Sequence, residues 1–179
     1  MNLPVFKYHP DPIATESVIE SDTECVVCKK ERGYIYSGPV FAVEEYEESI
    51  CPWCIADGTA AAMLEATFFD EAGVGAAGDC EVPESIVEEV TLRTPSFTGW
   101  QQEQWWTHCS DAAQFIGRAG KKELEALGPA AIAAIQAAAE NDDVDPGKLI
   151  DSLKKDGSPS AYMFRCLHCG QFGGYWDCD

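Results

Sequence analysis

The sequence predicts a small α+β fold stapled by zinc: a four-cysteine module of treble-clef or zinc-ribbon type, with short hairpins and several short helices. Three observations predict it. Two Cys-x-x-Cys pairs, Cys25/Cys28 and Cys51/Cys54, are joined by residues 29–50, where Gly33, Gly38 and Pro39 lie. A third pair, Cys166/Cys169, stands near the C-terminus. The rest of the chain alternates short β-prone runs with short helix-prone runs, punctuated by glycine and proline. Two thiolates three positions apart face one metal ion when the chain turns tightly. Two such knuckles supply the four sulfurs a tetrahedral structural zinc takes, so Cys25, Cys28, Cys51 and Cys54 are read as one Zn2+ site.

The chain has 179 residues, of which 46% are hydrophobic, enough to bury a core. A single zinc-stabilised domain over 1–179 is expected. Its N-terminal zinc module spans about 20–60 and its helical middle about 83–156, with a C-terminal knuckle at about 161–179 packing back on the middle. No run reaches the roughly 18 apolar residues of a membrane span. The start, Met1 to Lys7, lacks the apolar core of a secretory signal. A cytoplasmic setting without a membrane partner is expected. Nine cysteines in a reducing compartment, an odd number, point to metal rather than disulfides. A redox role for Cys51-Pro52-Trp53-Cys54 is the rival, but no βαβ pattern surrounds it.

Charge is the second constraint. With 31 acidic against 12 basic residues the net charge is −19. Such a surface repels phosphates, so no nucleic-acid partner is expected. The same field favours a basic protein partner.

Taken in order, residues 1–24 read as an extended, proline-stiffened lead-in around Tyr8-His9-Pro10-Asp11-Pro12. Residues 33–41 read as a β-hairpin about Gly38-Pro39. Glu44, Glu45, Glu47 and Glu48 form a solvated acidic run, and Trp53 is expected over the metal site. A helix is predicted over 55–69, capped by Asp57 or Thr59. Residues 70–82 read as a loop in which Cys80 is a free thiol. A short amphipathic helix over 83–90 places Ile86, Val87 and Val90 on one face and ends before Arg93-Thr94-Pro95. Phe97, Trp100, Trp105 and Trp106 form an aromatic centre, read as core because no basic residues accompany it. Ser110-Asp111 reads as the cap of a helix running to Gly117. Further helices are predicted at 121–127, from Pro129 to about 140, and from Pro146 to 155 with Asp145 as cap. The end reads as strand 161–165, a knuckle with Gly170 after its second sulfur, and strand 172–176.

Cys166 and Cys169 need two more ligands, and His108-Cys109 is the best source. A second Zn2+ site of Cys109, Cys166, Cys169 and His108 is therefore predicted. Its fourth ligand is open among His108, Asp111, Cys178 and His9. Adjacent residues in a strand diverge, so His108 and Cys109 meet one ion only at a bend. His168, inside the knuckle, is read as pointing outward. No His-Glu-x-x-His, deaminase, P-loop or Gly-x-Ser-x-Gly motif stands in the chain.

Several stretches together resemble the CbrC family of bacterial proteins. They are residues 6–12, Arg32 to Tyr36, Cys51 to Gly58, Arg93-Thr94-Pro95 and residues 164–170. That resemblance implies tolerance or immunity toward a colicin-like toxin, such as a nuclease, with a basic toxin domain as partner, and it carries over no catalytic residues. Three functional readings follow. The first is a zinc-binding, non-enzymatic protein that confers toxin immunity through an acidic surface. The second is a zinc-dependent enzyme using an incompletely ligated second site. The third is a zinc-ribbon nucleic-acid-binding or regulatory protein, for which Lys29, Lys30 and Arg32 are the only basic cluster.

Overall fold

The computed structural model of the chain describes residues 2–78 and 80–179. The fold is mixed α+β, with small antiparallel sheets and short helices. The chain divides into two compact units: Met1–Ala72 with Pro83–Thr98, and Gly73–Val82 with Gly99–Asp179.

In the first unit, strand β1 (Val18–Glu20) pairs antiparallel with β2 (Tyr34–Tyr36), Ile19 opposite Ile35. The sequence places β2 in a hairpin with the residues after Gly38-Pro39. Its partner comes instead from the lead-in. The reason lies in Tyr36, whose hydroxyl donates to the Pro39 carbonyl at 2.9 Å. The ring folds back under the turn, and a Cβ at Gly38 would stand 2.5 Å from the Tyr36 oxygen. The turn therefore wraps an aromatic ring, and Phe41 bridges to Thr67.

Helices α1 (Pro52–Ala56) and α2 (Thr59–Leu64) replace the single helix predicted over 55–69. Pro52 occupies the first turn of α1, where its missing N–H costs nothing. Gly58, at φ 78, breaks the helical path between them. Helix α3 (Glu84–Arg93) follows the predicted one and buries Val90 and Thr91. Ile35, Tyr36, Ile50, Ile55 and Phe68 form the core of this unit together with Cys25, Cys51 and Cys54.

In the second unit, β3 (Thr107–His108) and β4 (Asp111–Ala112) form a minimal hairpin. Strand β5 (Gln114–Ala119) opens a sheet ordered β5-β6-β7, completed by β6 (Ser160–Arg165) and β7 (Phe172–Asp177). The helix predicted from Ser110-Asp111 to Gly117 is thus strand. Phe115 is buried against Phe164 with ring centroids 5.2 Å apart, so pairing with β6 overrides the local cap signal.

Helices α4 (Lys121–Leu127) and α5 (Pro129–Asn141) follow the predicted ones closely, and α6 (Pro146–Ser152) stops short of the predicted 155 because Leu153 is extended, at φ −60 and ψ 138. Asp145 caps α6, accepting from the Lys148 N–H at 3.0 Å. Helix α5 lies on β7, and α4 and α6 lie on α5. Leu124, Ile135, Ala139, Leu149 and Met163 meet in this core. Of the predicted aromatic centre, Phe97 is buried in the first unit and Trp105 and Trp106 in the second, while Trp100 is 42% exposed. No helix of the described residues is long and apolar enough to cross a membrane.

Candidate metal centres

Each unit holds one cluster of four ligand atoms. In both, all four atoms lie within 4.8 Å of one another.

The first cluster joins Cys25, Cys28, Cys51 and Cys54. Cys25 and Cys28 flank a tight knuckle closed by Lys29 N–H to Cys25 carbonyl, 2.9 Å, and Cys25 N–H to Lys30 carbonyl, 3.1 Å. Lys29 takes the left-handed conformation, φ 53, that this closure requires. Cys51 is the N-cap residue of α1 and Cys54 lies within its first turn. Sulfur–sulfur distances are 3.9 Å (Cys25–Cys54), 3.8 Å (Cys28–Cys51) and 3.6 Å (Cys51–Cys54). A regular tetrahedron with zinc–sulfur bonds of about 2.3 Å has edges of about 3.8 Å. A disulfide needs about 2.05 Å, so the cysteines are free thiols in a metal-sized arrangement.

Three of the four are buried. The bond from the neighbouring Cys51 holds the Cys25 thiol down to about 4 against the opposing effect of burial. Backbone N–H groups of Cys28, Cys51 and Val27 reinforce that direction. The same Cys25 contact, then burial, pushes Cys51 upward, and burial pushes Cys54 up to about 11. Ionised sulfurs this close repel one another, and a divalent cation at their centre offsets that repulsion. Trp53 lies beside the cluster, 6.5 Å from the Tyr34 ring and under Arg32 at 5.3 Å.

The second cluster joins His108, Cys109, Cys166 and Cys169. Cys166 and Cys169 sit on a knuckle with the same closure as the first: Gly170 N–H to Cys166 carbonyl, 3.1 Å, and Cys166 N–H to Gln171 carbonyl, 2.8 Å. Gly170, at φ 73, stands where Lys29 stands in the first knuckle. The other two ligand atoms come from the β3–β4 hairpin. Cys109 and Ser110 are its two turn residues, at φ 56 and 57, the type I′ pattern. That bend turns two adjacent side chains onto one point. His108 Nδ1 lies 3.2 Å from Cys109 Sγ and 3.5 Å from Cys169 Sγ. Tetrahedral zinc bonds to nitrogen and sulfur give an edge of about 3.6 Å.

This cluster is more open, with Cys109 and Cys169 exposed and Cys166 buried. Burial raises the Cys166 thiol, but N–H groups of Cys169 and His168 and the His108 side chain outweigh it and bring it down to about 6. Desolvation and the neighbouring sulfurs push Cys109 up to about 11.

The remaining sequence candidates lie elsewhere. Asp111 is buried and binds His168, Nε2–H to Oδ2 at 3.0 Å, which ties the hairpin to the knuckle. His168 does point away from the cluster, toward that carboxylate. His9 Nδ1–H donates to the Pro95 carbonyl at 2.7 Å. Cys178 and Cys80 belong to neither cluster. Sequence reasoning missed Asp111 as a brace, and the signal was its place opposite His108 in the hairpin register.

The fold and the clusters define a small α+β protein with two four-ligand centres that can hold metal ions. The chain belongs to the family described as "Uncharacterised protein family (UPF0167)", whose model matches residues 3–178. It is 47% identical over 178 residues to the UPF0167 protein Mb2317 of Mycobacterium bovis, covering 98% of this chain and 93% of that one. The UPF0167 protein MT2352 of Mycobacterium tuberculosis gives the same figures. The UPF0167 protein PA1536 of Pseudomonas aeruginosa is 44% identical over 178 residues, covering 99% and 97%. No solved structure matches. These matches correct the resemblance drawn from the sequence. The family is UPF0167, not CbrC, and the names of these relatives carry nothing of colicin tolerance, so the immunity role and toxin partner that rested on CbrC fall with it.

Proposed function

We propose that the protein is a zinc-stabilised binding protein in which both metals are structural and the acidic surface engages a basic protein partner. One observation carries the reading: each cluster presents four protein ligand atoms within 4.8 Å. Four donors fill a tetrahedral zinc, whereas a catalytic zinc keeps a position for water or substrate. This weighs against the zinc-enzyme reading. The net charge of −19 favours a lysine- and arginine-rich partner over a nucleic acid.

Elemental analysis with X-ray absorption on the purified chain tests the metal part. Two zinc ions per chain are expected, one with four sulfurs and one with three sulfurs and one nitrogen. A shell containing oxygen would overturn the structural assignment. For the partner, capture at low salt by the zinc-loaded chain is compared with capture by the chelated chain, which keeps the same acidic residues but not the metal-held fold. The expected partner is basic, requires the folded chain, and is released by salt.

A further inference from the structure

The sheet of the second unit ends at β7, whose outer edge pairs with no strand among the described residues. A cavity of about 450 Å³ lies against that edge, within the range of ligand pockets of ~300–1,000 Å³. Ala134, Ala137 and Ala138 of α5 form one wall, and Gln104 and Trp106 line the opposite side. The floor is the strand itself, six residues long, or about 20 Å of extended backbone.

Apart from Asp177, buried at its C-terminal end, this edge lacks the devices that protect an exposed strand. Its six residues include no lysine and no proline, and its register with β6 runs unbroken from Phe172 to Asp177. The one register shift in the sheet lies between β5 and β6. Small side chains on α5 leave space above the edge on one face. On the other face Gly173 lets the Trp106 indole lie directly against the strand, since a Cβ there would fall inside the ring. Trp176 also lines the cavity, and its Nε1–H is buried without a partner.

Charge selects the occupant. No lysine or arginine lines the cavity, and Asp142 does. Pairing two copies of the chain through this edge would bring together two bodies of charge −19. A segment carrying lysine or arginine gains from the same field. We propose that the outer edge of β7 takes an extended, lysine- or arginine-bearing peptide segment of a partner protein as a fourth strand of the sheet. Main-chain bonds to the edge would hold it, and alternate side chains would enter the slot between α5 and Trp106. This rests on the reading of the chain as a binding protein for a basic partner and names where that partner docks.

The test is selection of a random heptapeptide display library against the full zinc-loaded chain at low salt, then amide hydrogen exchange with a selected peptide. Enriched sequences should be β-prone and carry lysine or arginine, and should protect amides of residues 172–177. Ala137→Trp fills the slot from an exposed helix position and should weaken binding by roughly tenfold or more. Ala133→Trp, exposed and outside the cavity, should leave binding unchanged, and both variants should keep wild-type metal content. Basic peptides that bind with protection elsewhere, or with Ala137→Trp as tight as wild type, overturn the slot and leave the basic-partner reading standing. Failure to enrich any basic peptide overturns both. A dimer of the free chain that Ala137→Trp abolishes assigns the edge to a second copy and overturns the proposal.

Discussion

His9 has no solvent exposure, and its two ring nitrogens are both occupied. Nδ1–H donates to the Pro95 carbonyl at 2.7 Å, so Nε2 accepts from the Thr15 hydroxyl at 2.7 Å. Burial dominates over the favourable backbone bond and lowers its pKa from 6.5 to about 4. The folded value lies below the unfolded one, so the unfolded chain binds the proton first. Stability is therefore complete above pH 6.5 and is lost as the pH falls toward 4, by on the order of 3 kcal/mol. The imidazole resonances of His9 in the zinc-loaded chain should stay those of the neutral ring down to pH 5. A midpoint near 6.5 would refute the assignment. Asp111 makes a second prediction at this scale. It accepts from His168 Nε2–H at 3.0 Å and from the Ala112 N–H at 2.9 Å. Asp111→Ala should weaken metal retention at the second cluster about tenfold and leave the first cluster alone, with Asp111→Asn restoring most of it. Competition with a chromophoric chelator reads this directly. The grouping of the Cys-x-x-Cys sulfurs was legible in the sequence, because that spacing carries its own geometry. His108 was also read into the second group, but the sequence left its place open to Asp111, Cys178 and His9. That place depends on a bend whose residues, Cys109 and Ser110, are not the Asn-Gly or Asp-Gly pair that marks a type I′ turn.

That bend is an element-scale matter. The type I′ turn needs positive φ at both central residues and favours Asn-Gly, yet the chain places Cys109 and Ser110 there. Ser110 does not ligate, so Ser110→Gly should relieve left-handed strain and raise stability by about 0.5–1 kcal/mol. Thermal unfolding of the zinc-loaded variant measures it, and a fall in stability would show that the serine has a role beyond the turn. The same residues explain the largest misreading of the sequence. Ser110-Asp111 has the composition of a helix cap, and only the pairing of Phe115 against Phe164 makes the following segment a strand. Helices α4, α5 and α6 were legible because their signals are local: Gly120 and Gly128 at their borders, Pro129 and Pro146 in first turns, Asp145 as a true cap. Strands β1 and β5 were not, because a three-residue strand or one interrupted by a bulge has no periodicity to read.

At the scale of the whole molecule, each compact unit has its own core and its own candidate metal centre. The two centres differ in access. Cys25 and Cys51 are 0% exposed and Cys54 is 2% exposed. In the second cluster Cys109 and Cys169 are exposed. A chelator reaches an exposed ligand without opening the fold, whereas in the first cluster only Cys28 is partly accessible and the other three sulfurs open with the core that contains them. Metal release from the native chain into excess chelator should therefore be biphasic, one equivalent fast and one slow. Guanidinium at a concentration below the unfolding transition should speed the slow phase more than the fast one. Cys169→Ser should abolish the fast phase and leave the slow equivalent bound. Cys51→Ser should abolish the slow phase and unfold the first unit, because the core loses the centre that three of its cysteines form. A single phase carrying both equivalents, or a fast phase that persists in Cys169→Ser, would show that access is not set by the burial of these sulfurs.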